Sequence, residues 1–340
     1  MSKRRLLAAL LGAALLAVVV WRASAGDVLT RVRDASVMPL VVAVALNIPV
    51  TVLRALRTRL LLRSLDAPVV PLRRLCGTQL VGQTLSGLTP GAVGDLTRAA
   101  MWHMQDGVPA GRGVVTVVVE RIWSLLLLAA FGLGFEAPTL GGPWFAAVLV
   151  GLALLGVVLP ALALSLGWAR RWLRVMGRRV LRVRLFSRRA ESIVANVRHA
   201  RVALDSASLA LWFTLLTLAT FALSAAQIAL VVSALGGSVP WHDAVGVYGL
   251  SQAGGSLSTL PFGLGTTDVI VVSLLGRAGV AGAVATGTAL LLRGVVTMVI
   301  AVAACAVWVA SAGMWRRAAS AVESAAGLAA QPEVAGAARR

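Results

Sequence analysis

The chain has 340 residues, 59% of them hydrophobic and 13% charged, with a mean hydropathy of +0.87. Soluble domains are roughly half apolar and about a quarter charged, so this composition excludes a water-soluble fold and points to an all-α polytopic integral membrane protein. The net charge of +19 comes from short basic clusters between apolar runs, the pattern of cytoplasmic loops and not of a nucleic-acid-binding face, so no nucleic acid is expected as a partner.

Lys3, Arg4 and Arg5 precede the apolar run Leu6–Trp21, and Ala23-Ser24-Ala25 follows it. Two readings stay open there: a cleaved signal peptide, or a retained first helix, preferred because more spans follow. Val37–Leu53 reads as a second span containing Asn47 and Pro49. It exits through Arg54, Arg57, Arg59, Arg63, Arg73 and Arg74, an inside signal. Val114–Phe135 is the third span, and Glu136–Pro143 is a short external loop without Lys or Arg. Trp144–Trp168 returns inward with a tryptophan at each end. Residues 169–201 are a strongly basic cytoplasmic loop suited to anionic lipid. Ser208–Leu235 runs outward, and Val284–Val309 runs inward to Trp315-Arg316-Arg317. One transmembrane domain thus covers 1–315 and a disordered tail 316–340, with both termini cytoplasmic in the cell (inner) membrane.

Parity constrains the remainder. Residues 54–74 lie inside and the span from Val114 starts inside, so 75–112 leave and return to one side. Residues 244–283 do the same from the outside. Each segment is either two spans or a re-entrant hairpin. Hairpins are preferred, because the apolar pieces are short and broken by Gly, Pro and polar residues. The expected architecture is six full spans plus two such hairpins. The two segments resemble each other: 82–95 and 255–268 both pass from small polar residues through proline and glycine to Asp95 and Asp268. About 25 residues beyond each lies an arginine inside a span, Arg121 and Arg293. Entering from opposite faces, they form an inverted repeat around 75–135 and 244–310.

A charged side chain at the bilayer centre costs about 2.5–3.5 kcal/mol and faces the protein interior. Asp95, Arg98, Glu120, Arg121, Asp268 and Arg293 are therefore expected in one polar cluster, with Asp95 pairing Arg121 and Asp268 pairing Arg293. They are either ion pairs stapling helices or arginines that meet a lipid phosphate. Pro90-Gly91 and the Pro261, Gly263, Gly265 stretch read as tight turns before half-helices. Asp95 and Asp268 sit there as caps, and free N–H groups are open to an anion. Asn47, Gln79, Gln83, Tyr248 and Gln252 read as interhelical hydrogen-bonding residues. His103, His199 and His242 make no ligand spacing, Cys76 and Cys305 stand alone, and no Walker loop or nucleophile elbow is present. No metal, cofactor or catalytic residue is expected.

Three motifs carry a family resemblance: Pro90-Gly91-Ala92-Val93-Gly94-Asp95-Leu96-Thr97-Arg98, Glu120-Arg121-Ile122-Trp123-Ser124, and Leu260-Pro261-Phe262-Gly263-Leu264-Gly265-Thr266-Thr267-Asp268, with Arg293 in the last span. With these the chain resembles the lysylphosphatidylglycerol synthase membrane-domain, or flippase-like, family over roughly residues 5–315. Phe262 stands for a usual glycine, Asp268 for a usual glutamate and Ser124 where an aspartate is common. These departures leave the fold intact and bear on the substrate. The resemblance implies translocation of an anionic phospholipid or polyprenyl-linked headgroup. Nothing after Ala318 is long enough for a soluble aminoacyl-transfer domain, so lysyl-lipid synthesis is not expected. The alternatives are a non-transporting subunit that feeds lipid to a cell-envelope enzyme or forms a homo-oligomer, and an intramembrane enzyme on a lipid-linked sugar.

Overall fold

A computed structural model describes residues 25–88, 94–141, 207–257, 263, 265–307 and 309. The first span, Trp144–Trp168, the basic loop, the tail, Pro90, Gly91 and Pro261 lie outside the described residues. Among the described residues all regular structure is helical: α1 (Ala25–Arg33), α2 (Val37–Ala45), α3 (Asn47–Ser64), α4 (Leu72–Leu88), α5 (Leu96–Asp106), α6 (Ala110–Gly141), α7 (Ala207–Ala234), α8 (Trp241–Leu257), α9 (Thr266–Arg277) and α10 (Gly282–Leu291). A π-helical turn, Leu292–Thr297, follows α10 and leads into helix again at 298–307. Among the described residues three stretches are long and apolar enough to cross a bilayer: Val37–Ser64, Ser208–Ala234 and Gly282–Val307. The protein is a helical membrane protein.

The interruption between α2 and α3 has a local cause. Pro49 has no N–H for the carbonyl of Ala45, so the ladder loses a rung and the helix re-forms one residue later. The second span differs from expectation at its far end. It was expected to exit at Leu53, yet α3 continues to Ser64 and carries Arg54, Arg57, Arg59 and Arg63 within it. Arg57 is only 7% exposed. A basic run was read as a loop, whereas two of its arginines turn inward on a polar helix face. The loop expected from Glu136 also begins later, because α6 runs on to Gly141.

Segments 75–112 and 244–283 have the same build. α4 and α8 have 17 residues each, and α5 and α9 have 11 and 12. At 1.5 Å per residue, α5 and α9 reach about 17–18 Å, short of the ~30 Å hydrocarbon core. A longer helix follows each: α6 with 32 residues and the 26-residue stretch Gly282–Val307. The helix pairs fold back tightly. A Cβ on Gly94 would lie 2.2 Å from the Leu85 carbonyl carbon and the Ser86 nitrogen, and one on Gly254 would lie 2.4 Å from Ile270 Cδ1. At Gly94 the neighbour is backbone and only glycine permits the approach, whereas at Gly254 the tip of Ile270 can move aside.

Lipid tails are as apolar as leucine, so tight packing and polar contacts hold such helices together. The largest buried cluster joins α3, α6, α7, α8, α9 and α10 through Leu61, Trp123, Phe213, Val247, Leu275 and Val284. α8 packs along α6, α7 packs on α2, α3 and α8, and α10 packs on α1. A second cluster holds the first hairpin. There Trp102 is fully buried and donates its indole N–H to Thr78 Oγ1 at 2.9 Å.

Gly94→Ala is expected to cost about 1–3 kcal/mol by overpacking the first hairpin. Gly276→Ala, whose Cβ meets nothing within 4 Å, should be neutral or slightly stabilising. Unfolding midpoints in detergent compare the two.

Candidate functional site

The helices enclose a cavity of about 380 Å³. Of the residues expected in a polar cluster, the structure brings Asp95, Arg98, Glu120, Arg121, Asp268 and Arg293 to its wall, with Gly263. Gly265 stands just behind, before α9. Its φ of +81° suits glycine, and its N–H donates to Asp268 Oδ2 at 2.9 Å. That bond satisfies the first orphan donor of α9, as a cap should.

The deepest group is the pair of Arg98 and Glu120. Arg98 Nη2 donates to Glu120 Oε2 at 2.8 Å and to Thr58 Oγ1 at 3.0 Å, while Thr58 donates to Glu120 Oε1 at 2.5 Å. All three are buried. The Arg98 stem crosses α4 at Gly82, where a Cβ would fall 2.3 Å from Arg98 Cδ. Its guanidinium lies 5.1 Å from the Trp102 ring centroid. This network ties α3, α5 and α6 together.

Glu120 and Arg121 are consecutive, so they point about 100° apart around α6. Glu120 turns toward α3 and α5, and Arg121 turns toward α8. Arg121 Nη1 meets Asp95 Oδ2 at 3.4 Å, and its Nη2 meets Ser256 Oγ at 3.4 Å. Both distances are long for a charge-assisted bond, and Arg121 is 38% exposed. Asp95 takes the N-cap position of α5 but makes no side-chain cap bond. The capping role expected for it from the sequence is therefore not made; its carboxylate turns to Arg121 instead.

The second pair is tighter. Arg293 Nη2 donates to both carboxylate oxygens of Asp268 at 2.9 Å, and Nε donates to Oδ1 at 3.2 Å. Arg293 is 19% exposed. It lies in the π-helical turn, a feature that often marks a functional position in a helix. The widened turn is supported from α3: Asn47 Nδ2 donates to the Val296 carbonyl at 3.3 Å. Gln227 Nε2 in turn donates to Asn47 Oδ1 at 3.1 Å. The two pairs join the partners expected from the sequence, at separations of 26 and 25 residues.

Sequence reasoning missed Arg54 and Arg57, which also line the cavity. Arg54 Nη1 donates to Gln83 Oε1 at 2.9 Å. Arg57 Nη1 donates to Ser124 Oγ at 2.9 Å and Thr217 Oγ1 at 3.2 Å, and its guanidinium covers the Phe213 ring. A signal existed. Asn47, Thr51, Arg54 and Thr58 recur every three or four residues, one polar stripe on an apolar helix. Gln79, Gln83, Tyr248 and Gln252, read earlier only as bridging residues, line the same cavity. Among the described residues no group of three His, Cys, Asp or Glu is placed to hold a metal ion.

Among the described residues the cavity wall thus carries five arginines and three carboxylates. Removing one partner of a buried pair leaves an uncompensated charge, at a cost of about 3–5 kcal/mol. Glu120→Ala should lose that much stability, and the double variant R98A/E120A should lose less than the two single changes together. Chemical unfolding of the four proteins in detergent gives the coupling.

No curated protein matches the chain. The family described as lysylphosphatidylglycerol synthase TM region matches residues 5–329. With nearly the whole chain covered, this protein belongs to the lysylphosphatidylglycerol synthase transmembrane-region family.

Proposed function

We propose that the protein translocates an anionic phospholipid or lipid-linked headgroup across the membrane in which it sits. The observation that carries this reading is the charge of the cavity wall, five arginines against three carboxylates among the described residues. Membrane-buried arginines in excess of their carboxylates call for an anion, and a guanidinium fork matches phosphate oxygens bidentately without ever deprotonating. Leu128, Ile228 and Ile300 line the cavity beside neutral polar side chains such as Gln79, Gln83 and Gln252, and this mixed wall suits an amphipathic occupant whose tails remain in lipid. The family name adds a link to phospholipid.

The route follows from the helix lengths. α5 and α9 are too short to span, so each helix pair is read as a re-entrant hairpin. The two are arranged as an inverted repeat within six full spans. Half-helix N-termini then face the midplane from opposite sides and favour an anion there. The headgroup enters at Arg121, whose bond to Asp95 is the looser of the two. Its phosphate replaces that carboxylate, and Asp95 recaptures the arginine on release. Arg293, held by Asp268, is the corresponding position in the second half. Arg98 and Glu120 keep the wall between them rigid. This cycle uses no catalytic residue and no cofactor, and both termini stay in the cytoplasm.

Reconstitution in liposomes with fluorescent lipids and an external quencher tests the reading. The wild type should equalise lipid between leaflets. Arg121→Ala and Arg293→Ala should slow this about 10–100-fold each, the loss of a hydrogen bond to a charged group. If both variants fold and still move lipid at the wild-type rate, the arginines are staples and the mechanism is wrong.

A further inference from the structure

The excess positive charge of the cavity has an address. Arg98, Arg121 and Arg293 each meet a carboxylate. Arg54 and Arg57 meet only neutral oxygens, those of Gln83, Ser124 and Thr217. The nearest candidate, Glu120, is committed on both oxygens, to Thr58 and Arg98. Among the described residues neither arginine has a carboxylate within ion-pair distance. Arg57 is 7% exposed, lines the cavity, and its buried Nε has no hydrogen-bond partner there. They lie one turn apart on α3 and both line the cavity, Arg54 reaching toward α4 and Arg57 toward α6 and α7.

Arg57 feels the charge of Glu120 only at a distance and shares it with Arg98, while Arg54 and Arg98 repel it, so its burial is under-compensated and costly. A ligand with one negative charge compensates only one of the two α3 arginines. From this we infer that Arg54 and Arg57 form a phosphoryl-dianion subsite, fitting the cavity to lipid headgroups that carry two negative charges. A phosphomonoester suits this, because its second ionisation lies near pH 6 and leaves it close to dianionic at neutral pH. A terminal diphosphate suits it equally. A phosphodiester headgroup, with a single charge, leaves one arginine uncompensated. Ser124 is the switch for this preference: its hydroxyl accepts from Arg57 at 2.9 Å, and a carboxylate at that position supplies the missing counter-charge from the protein itself. The inference rests on reading the cavity as a lipid-headgroup site.

Binding tests it directly, on the purified full chain in detergent. The probes are dioctanoyl phosphatidic acid, dioctanoyl phosphatidylglycerol, farnesyl phosphate and inorganic phosphate, compared by native mass spectrometry. Phosphatidic acid and farnesyl phosphate are expected to bind about tenfold more tightly than phosphatidylglycerol, the gain from one added charge-assisted contact. Ser124→Asp should remove that preference, while Ser124→Asn, of the same size and neutral, should keep it. Arg57→Gln should remove it too, and Arg54→Gln, changed at a less buried position, guards against a folding defect at Arg57. Equal binding of the mono- and dianionic lipids by wild type, or an undiminished preference in Ser124→Asp, overturns the subsite. Inorganic phosphate competing as well as phosphatidic acid overturns the lipid assignment in favour of a free-phosphate site. The liposome assay separates the two levels. A dianion preference in binding without any translocation sustains the subsite and removes the transport reading. Translocation with no headgroup preference does the reverse.

Discussion

Placing a charge at membrane depth costs a few kcal/mol unless the protein supplies its partner, and the fold is organised around meeting that demand. The buried network of Arg98, Glu120 and Thr58 joins three helices that share no strong apolar reason to associate in lipid. Once Glu120 faces inward, the next residue on α6 must face elsewhere. That alone delivers Arg121 to the cavity and to α8. One ion pair therefore sets the rotation of α6, and the rotation of α6 sets the site.

The hairpins impose the second constraint. The short helices α5 and α9 fold back on α4 and α8, so the backbones of each pair press closely together. Gly94 against the α4 backbone, and Gly254 against Ile270, mark where that pressing is closest. At the α9 end, Asp268 serves two donors, the N–H of Gly265 and the guanidinium of Arg293. Asp95 serves only Arg121 among these, and at greater length. The two ends are built alike but held unequally, the first more loosely than the second.

A cavity whose arginines outnumber its carboxylates is a poor structural device and a good binding one. Stapling helices is accomplished by paired charges, as at Arg98 and Glu120. Unpaired cations on α3 add cost without adding a bond to a carboxylate. On the proposed reading their presence makes sense, because an anion shares the space for part of the time.

Much of this was legible in the chain. Composition alone dictates a bilayer protein, because 59% apolar residues cannot be hidden from water in a domain of this length. Periodicity and charge placed Ser208–Ala234 and Gly282–Val307 within a few residues, and matching segments suggested which aspartate meets which arginine. Arg54 and Arg57 were misassigned because charge runs are judged in one dimension: a cluster of arginines beside an apolar run looks the same whether the helix ends or continues. The Arg98–Glu120 pairing was equally hidden, since nothing in spacing says which faces of α5 and α6 meet. The sequence by itself determined the solvent, the helices and the set of charged residues that had to be buried. Only the tertiary structure decided which of those charges cancel and which remain, because that depends on how helices rotate and pack against one another, not on where residues fall along the chain.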